Sequence, residues 1–355
     1  MIGQRLKLAR AASGLSLRDV QATIDNLVTA QAIGKYERNE DMPSSGVLRT
    51  LAEALHVSED YLLAADEMVL DGVEFRKKEI ASKREEAFVE GQTLHLLERY
   101  LMIEDALGLA SVTWDQPREG LYPVKEIADV ENAARAIRVH WGLGIDPILN
   151  LAELLEERGI KILSADLTDI DGLTAKVQRK NGEPIPVIVI KASAWSERKR
   201  FTLAHELGHM VMDVQQGVDS EKAANRFASA FLMPVEALWR EIGKARTMIS
   251  LGELLRLKKL FGASFQAIVY RCQDLGIIGK AAYRRLFQVF NENGWRKPPF
   301  KEPGAMDPDE EKPRRMERLC FRALAEGVIS ESKAAEVLGL SVRSLMQLMD
   351  QPAMA

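Results

Sequence analysis

RFTLAHELGHMVMD (residues 200–213) places two of the chain's five histidines, His205 and His209, four positions apart, with Glu206 directly after the first. On an α-helix, positions i and i+4 project from one face about 6 Å apart, so both imidazoles can hold one ion. Glu206 is rotated by about 100° from His205, which places it poorly as a ligand but within reach of a water beside the ion. The stretch therefore predicts a metal-binding helix; the alternative is a buried helix with ordinary core histidines.

A third protein ligand is offered by the next helical stretch, EKAANRFASAFLMP (residues 221–234). Glu221 lies twelve positions beyond His209, and Asn225 lies one helical turn further on the same face. Ligating imidazoles usually donate their second N–H to an oxygen acceptor, which is the role expected of Asn225. Three protein ligands leave the fourth tetrahedral position for water, so the sequence predicts a catalytic Zn²⁺ site with His205, His209 and Glu221 as ligands.

These two stretches resemble the ImmA/IrrE family of bacterial metallopeptidases, which cleave helix-turn-helix repressors. The family's His-Glu-x-x-His helix, followed by a ligating Glu four residues before an Asn, matches His205, Glu206, His209, Glu221 and Asn225 without substitution. The resemblance covers roughly residues 125–290 and implies a zincin-like fold with a small β-sheet. It also implies a zinc-dependent endopeptidase in which Glu206 is the general base for zinc-activated water. His140 and Tyr270 are candidate donors to the oxyanion, although a structural role is favoured for His140.

The amino-terminal residues 1–64 are similar to an Xre/Cro-type helix-turn-helix domain, on the stretches LSLRDV, AIGKYERN and LRTLAEALHVSEDYLL. A recognition helix from about Thr29 to Tyr36 would expose Ala30, Gln31, Gly34 and Lys35. The candidate DNA-binding residues are Thr29, Gln31, Lys35 and Arg38. We expect Gln31 to contact adenine in the major groove, and Lys35 and Arg38 to contact phosphates of a DNA operator. Residues 1–64 hold seven Lys or Arg and eight Asp or Glu, so non-specific DNA binding by a monomer should be weak. A module used only for protein contacts is the alternative.

The remaining organisation predicts a mainly α (α+β) protein. Residues 65–120 form a charged helical linker, for which two interpretations stay open: an interdomain spacer and a helix that forms a homodimer. Residues 121–296 form the metallopeptidase domain, with a β-hairpin whose turn is placed at Asn181-Gly182. Residues 297–313 are a Pro-rich linker, and residues 314–355 are a small helical unit with Ser330 as an N-cap and Gly339 as a stop.

Composition limits the class of protein. The chain has 355 residues, a net charge of −4 and two widely separated cysteines, which favours a cytoplasmic protein with reduced thiols. No apolar run reaches the twenty or so residues that cross a bilayer, so no membrane partner is expected.

These observations are consistent with two functions. The first is a DNA-binding transcriptional regulator fused to a zinc endopeptidase that cleaves a regulatory protein, either a partner repressor or the chain itself. The second is a non-proteolytic helix-turn-helix transcription factor or antitoxin-type regulator, in which the peptidase-like domain senses a ligand or a metal. A general base at Glu206 favours the first, since a sensor has no need of one.

Overall fold

The computed structural model describes residues 2–63, 70–75, 83–167, 171–179, 183–296 and 301–350. Helices dominate these residues, and the strands form two small sheets, which confirms a mainly α (α+β) protein. The helices are α1 (Ile2–Ala12), α2 (Leu17–Thr23), α3 (Ala30–Glu37), α4 (Ser45–Ala54), α5 (Glu59–Leu63), α6 (Lys83–Ala106), α7 (Val130–His140), α8 (Leu151–Glu157), α9 (Ser196–Val211), α10 (Ser220–Leu232), α11 (Val235–Ile242), α12 (Leu251–Phe261), α13 (Phe265–Asp274), α14 (Lys280–Glu292), α15 (Arg315–Ala325), α16 (Glu331–Leu338) and α17 (Val342–Asp350). The strands are β1 (Leu70–Phe75), β2 (Tyr122–Val124), β3 (Lys161–Ala165), β4 (Gly172–Arg179), β5 (Ile185–Lys191) and β6 (Met212–Val214).

Helices α1 to α5 form a bundle with its own apolar core. Helix α2 begins with a capping box, in which the Ser16 hydroxyl accepts from Asp19 N and the Asp19 carboxylate accepts from Ser16 N. The connection from α2 to α3 contains two residues with positive φ, Asp25 and Asn26. The side-chain amide of Gln21 joins both ends of this connection, since it donates to Asn26 Oδ1 and accepts from Ala30 N.

The larger sheet has the strand order β1-β4-β5-β3. Strands β4 and β5 pair antiparallel, as a hairpin requires, although the predicted turn at Asn181-Gly182 lies outside the described residues. Strand β3 joins β5 in parallel. Alternate residues of β5 point to opposite faces, and both faces are apolar: Ile188 and Ile190 belong to one core, whereas Val187 and Val189 belong to another. The sheet is therefore a central layer that is covered on both sides.

Helix α9 covers one face of this sheet, and α10 packs along α9. Helices α7, α8 and α11 to α14 complete the same core. The second sheet is a parallel pair of β2 with β6, and β6 directly follows α9. The predicted metal-binding helix thus lies between a sheet and a layer of helices.

The linker expected over residues 65–120 differs from the structure in two respects. Leu70–Phe75 is a strand that pairs antiparallel with β4 at the edge of the sheet. A helix was expected in this linker and α6 supplies it, but Leu97, Leu101 and Ile103 of α6 are fully buried in the core on the second face of the sheet. These three side chains pack within the chain and are not available to the interface of a homodimer.

The Pro-rich segment and the carboxy-terminal unit are also built into the fold. Helices α15 and α16 share the core of α6, so they complete the third layer and do not stand apart. Residues 301–312, which we call the strap, cross the beginning of α8 and α9. The predicted cap at Ser330 and stop at Gly339 are both present in α16. Three arginines of the carboxy-terminal unit are paired with carboxylates: Arg315 with Glu104, Arg318 with Glu153, and Arg322 with Glu326.

Within the ranges described above, no helix has the length and apolar character that would allow it to cross a membrane.

Candidate metal centre

Helix α9 carries the His-Glu-x-x-His motif inside the protein. Leu203, Leu207 and Val211 are fully buried on its core side, and His205 and Glu206 are only 7% and 1% exposed. A buried imidazole or carboxylate is costly unless it has a polar partner or an ion. The burial of these side chains therefore calls for defined partners.

The side chains of His205, His209 and Glu221 converge on one point, and we call them the tripod. His205 Nε2 lies 3.1 Å from His209 Nε2 and 3.3 Å from Glu221 Oε2. His209 Nε2 lies 3.2 Å from Glu221 Oε1. A tetrahedral ion with bonds of about 2.0–2.1 Å requires ligand–ligand separations of about 3.3–3.4 Å. The tripod could hold a metal ion of that size with little movement.

The orientation of His205 is set from the other side of its ring. Its Nδ1 lies 3.1 Å from Asn225 Oδ1, and a side-chain amide oxygen can only accept. The proton of a neutral His205 is therefore assigned to Nδ1, which leaves the Nε2 lone pair directed at the tripod. This is the geometry predicted for Asn225, one turn beyond Glu221 on α10.

A close approach of α9 and α10 brings Glu221 to the histidines. A Cβ atom at Gly208 would lie 2.9 Å from the Phe227 ring, so glycine is required where the helices touch. The first turn of α10 is held by Asp219, whose side chain accepts from Lys222 N. The Glu221 side chain is 53% exposed, so the tripod opens towards solvent on the side of α10.

Glu206 is not part of the tripod and is held by the sheet. The hydroxyl of Thr174 on β4 donates to Glu206 Oε2 at 2.8 Å, and both side chains are buried. Strand β4 can approach α9 because its first residue is Gly172, where a Cβ would lie 2.4 Å from the Thr202 methyl group. The sequence did not predict Thr174, because its partner is 32 residues away and no local pattern marks the contact.

Two family models match the chain. Residues 155–273 match the Peptidase M78 family, described as the IrrE N-terminal-like domain, and residues 6–62 match a helix-turn-helix domain. The chain joins a helix-turn-helix domain to an IrrE-like domain. Both models fall on the regions from which the sequence predicted them, and the IrrE-like match includes all three residues of the tripod. Comparison with curated proteins gave no match.

A cleft of about 960 Å³ opens beside the tripod of the IrrE-like domain. Phe201, one turn before His205, and Asn225 both line it. The cleft runs between the first half of α9, α10, α13 and the beginning of the strap. A cavity of this size accommodates several side chains of a bound polypeptide.

The two candidate oxyanion donors lie in different places. Tyr270 lines the cleft and is 49% exposed. His140 Nε2 lies 2.9 Å from Asp115 Oδ1, and it is not among the residues that line the cleft. The geometry favours Tyr270 for contact with a bound substrate, and a structural role for His140.

The helix-turn-helix domain presents part of the predicted DNA contacts. Gln31 and Lys35 are exposed on α3, and Thr29 is its N-cap, accepting from Ala32 N. Gly34, which was expected to be exposed, is buried. Arg38 is exposed but makes two hydrogen bonds with the Glu40 carboxylate, which raise the pKa of Arg38 and offset its charge. A phosphate must therefore compete with Glu40 for this guanidinium.

Proposed function

We propose that the IrrE-like domain is a zinc-dependent endopeptidase that cleaves a regulatory protein, and that the helix-turn-helix domain directs the chain to a DNA operator. The observation that carries the proposal is the placement of Glu206. This carboxylate lies next to the tripod in sequence, is almost fully buried, and is oriented by Thr174. A domain that only sensed a metal would need the tripod but not a buried carboxylate beside it.

The donor set suits zinc. Two imidazoles and one carboxylate are the ligands of the His₂Glu class of catalytic zinc sites. When bound, zinc supplies Lewis-acid chemistry, because it activates water as a nucleophile and polarises a peptide carbonyl. Nε2 of His205 and of His209 and the Glu221 carboxylate would hold it.

Proton transfer is assigned to Glu206. Thr174 holds Oε2, so Oε1 takes up the proton of the attacking water and returns it to the leaving amine nitrogen. Tyr270 lines the adjacent cleft, where a peptide carbonyl could accept from its hydroxyl. Phe201, one turn before His205, and Asn225, the partner of His205, line this cleft, so a polypeptide bound there would lie next to the tripod.

The endopeptidase proposal is tested in cells that carry either the wild type or Glu206→Gln. Both proteins should hold about one zinc per chain, since Glu206 is not a ligand. Comparative proteomics should find fragments of one regulator, or of the chain itself, only with the wild type. Identical fragments in both strains would remove the general-base role of Glu206.

The alternative is a non-proteolytic regulator whose IrrE-like domain senses a metal or a ligand. Its supporting observation is the tripod itself, because His205, His209 and Glu221 could hold a metal ion without Glu206. This alternative predicts that zinc changes operator affinity equally in the wild type and in Glu206→Gln, and that neither yields fragments. Equilibrium binding to an operator with and without zinc separates the two functions.

DNA binding is tested with Gln31→Ala and Lys35→Ala on DNA upstream of the protein's own coding region. Loss of a bidentate contact to one base should weaken binding by about 5- to 150-fold at that site. Loss of a phosphate contact should reduce the slope of log binding constant against log salt concentration by about one. Lys280→Ala, an exposed lysine on α14, is the control with the same change of charge. Unchanged mobility shifts in the α3 variants would favour a module that contacts protein.

A further inference from the structure

The cleft beside the tripod is both apolar and charged. Trp195, the residue before α9, Phe201 of α9 and Tyr270 of α13 give it aromatic walls. The charged side chains that line it are four carboxylates and six cations, an excess of two positive charges: Asp171, Glu197, Asp274, Glu302, Arg198, Lys222, Arg226, Lys258, Arg271 and Lys301. Charge in a partly enclosed cleft acts more strongly than the same charge on an open surface, because low-dielectric walls concentrate its field.

Each of the four carboxylates is already paired with a cation of the cleft. The pairs are Asp171 with Arg198, Asp274 with Arg226, and both Glu197 and Glu302 with Lys258. Arg271 is paired with Glu131, behind the cleft wall. Each of these carboxylates therefore already has a cationic partner within the cleft.

Two cations of the cleft remain for a ligand. Lys222, in the first turn of α10, directly follows the tripod residue Glu221, and Lys301 begins the strap on another wall. Both are exposed. In the part of the chain that the structure describes, neither ammonium group has a carboxylate within 4.0 Å, whereas the other four cations of the cleft each have at least one.

We infer that the cleft selects an acidic polypeptide segment, with Asp or Glu beside an aromatic or aliphatic residue. The apolar residue lies against Trp195, Phe201 and Tyr270, and the carboxylates pair with Lys222 and Lys301. Because such pairs steer encounter and fix register, charge would determine which segment reaches Glu206. This inference rests on the proposed endopeptidase function and narrows its substrate class.

Binding is measured on full-length, zinc-loaded Glu206→Gln, which retains the cleft but does not consume the ligand. Three labelled peptides share one apolar core and carry flanking Glu, Gln or Lys. Fluorescence anisotropy should give about tenfold tighter binding for the Glu peptide than for the Gln peptide, with the Lys peptide weakest. The preference should shrink as salt is raised.

The double change Lys222→Glu with Lys301→Glu should reverse this order, whereas Lys280→Glu should leave it unchanged. Equal binding of the three peptides, or an order that survives the double change, would overturn the inference. Tighter binding of a single-stranded oligonucleotide than of the Glu peptide would also overturn it, in favour of a nucleic-acid ligand.

The wild type loaded with zinc separates this inference from the proposed function. Cleavage of all three peptides at equal rates overturns the acidic preference and keeps the endopeptidase. If the peptides bind with the expected charge preference but neither they nor any cellular regulator is cleaved, the endopeptidase proposal is overturned. The acidic ligand of the cleft is then retained.

Discussion

Glu311→Gln should destabilise the IrrE-like domain far more than its position in a Pro-rich segment suggests. Glu311 is fully buried, and both carboxylate oxygens accept hydrogen bonds. Oε1 accepts from the backbone N–H groups of Leu151 and Ala152 at 2.6 and 2.8 Å, and Oε2 accepts from Arg200 at 2.7 Å. A glutamine amide has only one oxygen, so its NH₂ group must face a donor in either orientation.

The magnitude follows from the burial of the partner. Arg200 is 2% exposed, so loss of the opposing charge leaves a buried guanidinium whose remaining acceptors are backbone carbonyls. Breaking a buried pair in this way costs about 3–5 kcal/mol. For a unit of this size the melting temperature should fall by about 10 °C.

The assay is thermal unfolding followed by circular dichroism, with hydrogen exchange of the α8 amides as a local readout. Glu326→Gln is the matched control, because Glu326 is also paired with an arginine but is about half exposed. This control should change stability by less than about 1 kcal/mol. If Glu311→Gln and Glu326→Gln had the same melting temperature, the buried carboxylate would not hold the strap, which would contradict the prediction.

Three further changes test other contacts. Thr174→Val should reduce the rate of zinc-dependent peptide cleavage by about 10- to 150-fold, because it removes the hydrogen bond to the Glu206 carboxylate. Thr174→Ser should restore the rate at unchanged zinc content. Gly91→Ala should lower the free energy of unfolding by about 1–3 kcal/mol, because its Cβ would lie 2.6 Å from the backbone of α1. The amides of α1 should then exchange faster. Gly46→Ala is the control, because its Cβ meets no atom within 4 Å, and it should leave this exchange unchanged. Burial lowers the pKa of His95 from 6.5 to about 4, so stability present above pH 6.5 is lost as the pH falls towards 4. His95→Gln should reduce the change of the free energy of unfolding in urea between pH 6.5 and 4 by up to about 3 kcal/mol. The same pH dependence in the wild type and in His95→Gln would contradict the assignment.

Much of the local structure could be predicted because its causes are local. Ser16 and Ser330 cap helices with their own side chains, and the four-residue spacing of His205 and His209 places both on one face of a helix. The pairing of Glu221 with these histidines could be predicted from a second motif on the next helix. In each case the residues concerned lie within one or two neighbouring elements.

The elements that the sequence did not predict depend on distant partners. The charged composition around α6 suggested a solvated linker, yet Glu104 is buried against Lys161 of β3, a partner 57 residues away. Glu302 and Glu311 appeared to belong to a solvated Pro-rich stretch, because composition cannot show that they form ion pairs with Lys258 and Arg200. Buried ion pairs of this kind have no sequence periodicity.

Zinc binding by the tripod is the central claim, and equilibrium competition with a chromogenic chelator tests it most directly on the full chain. The wild type should bind one zinc ion, and His209→Ala should bind none at the same free zinc concentration. Asn225→Ala should bind zinc about 10- to 100-fold more weakly, because it frees the orientation of His205. Equal zinc affinity in the wild type and in His209→Ala would contradict the account.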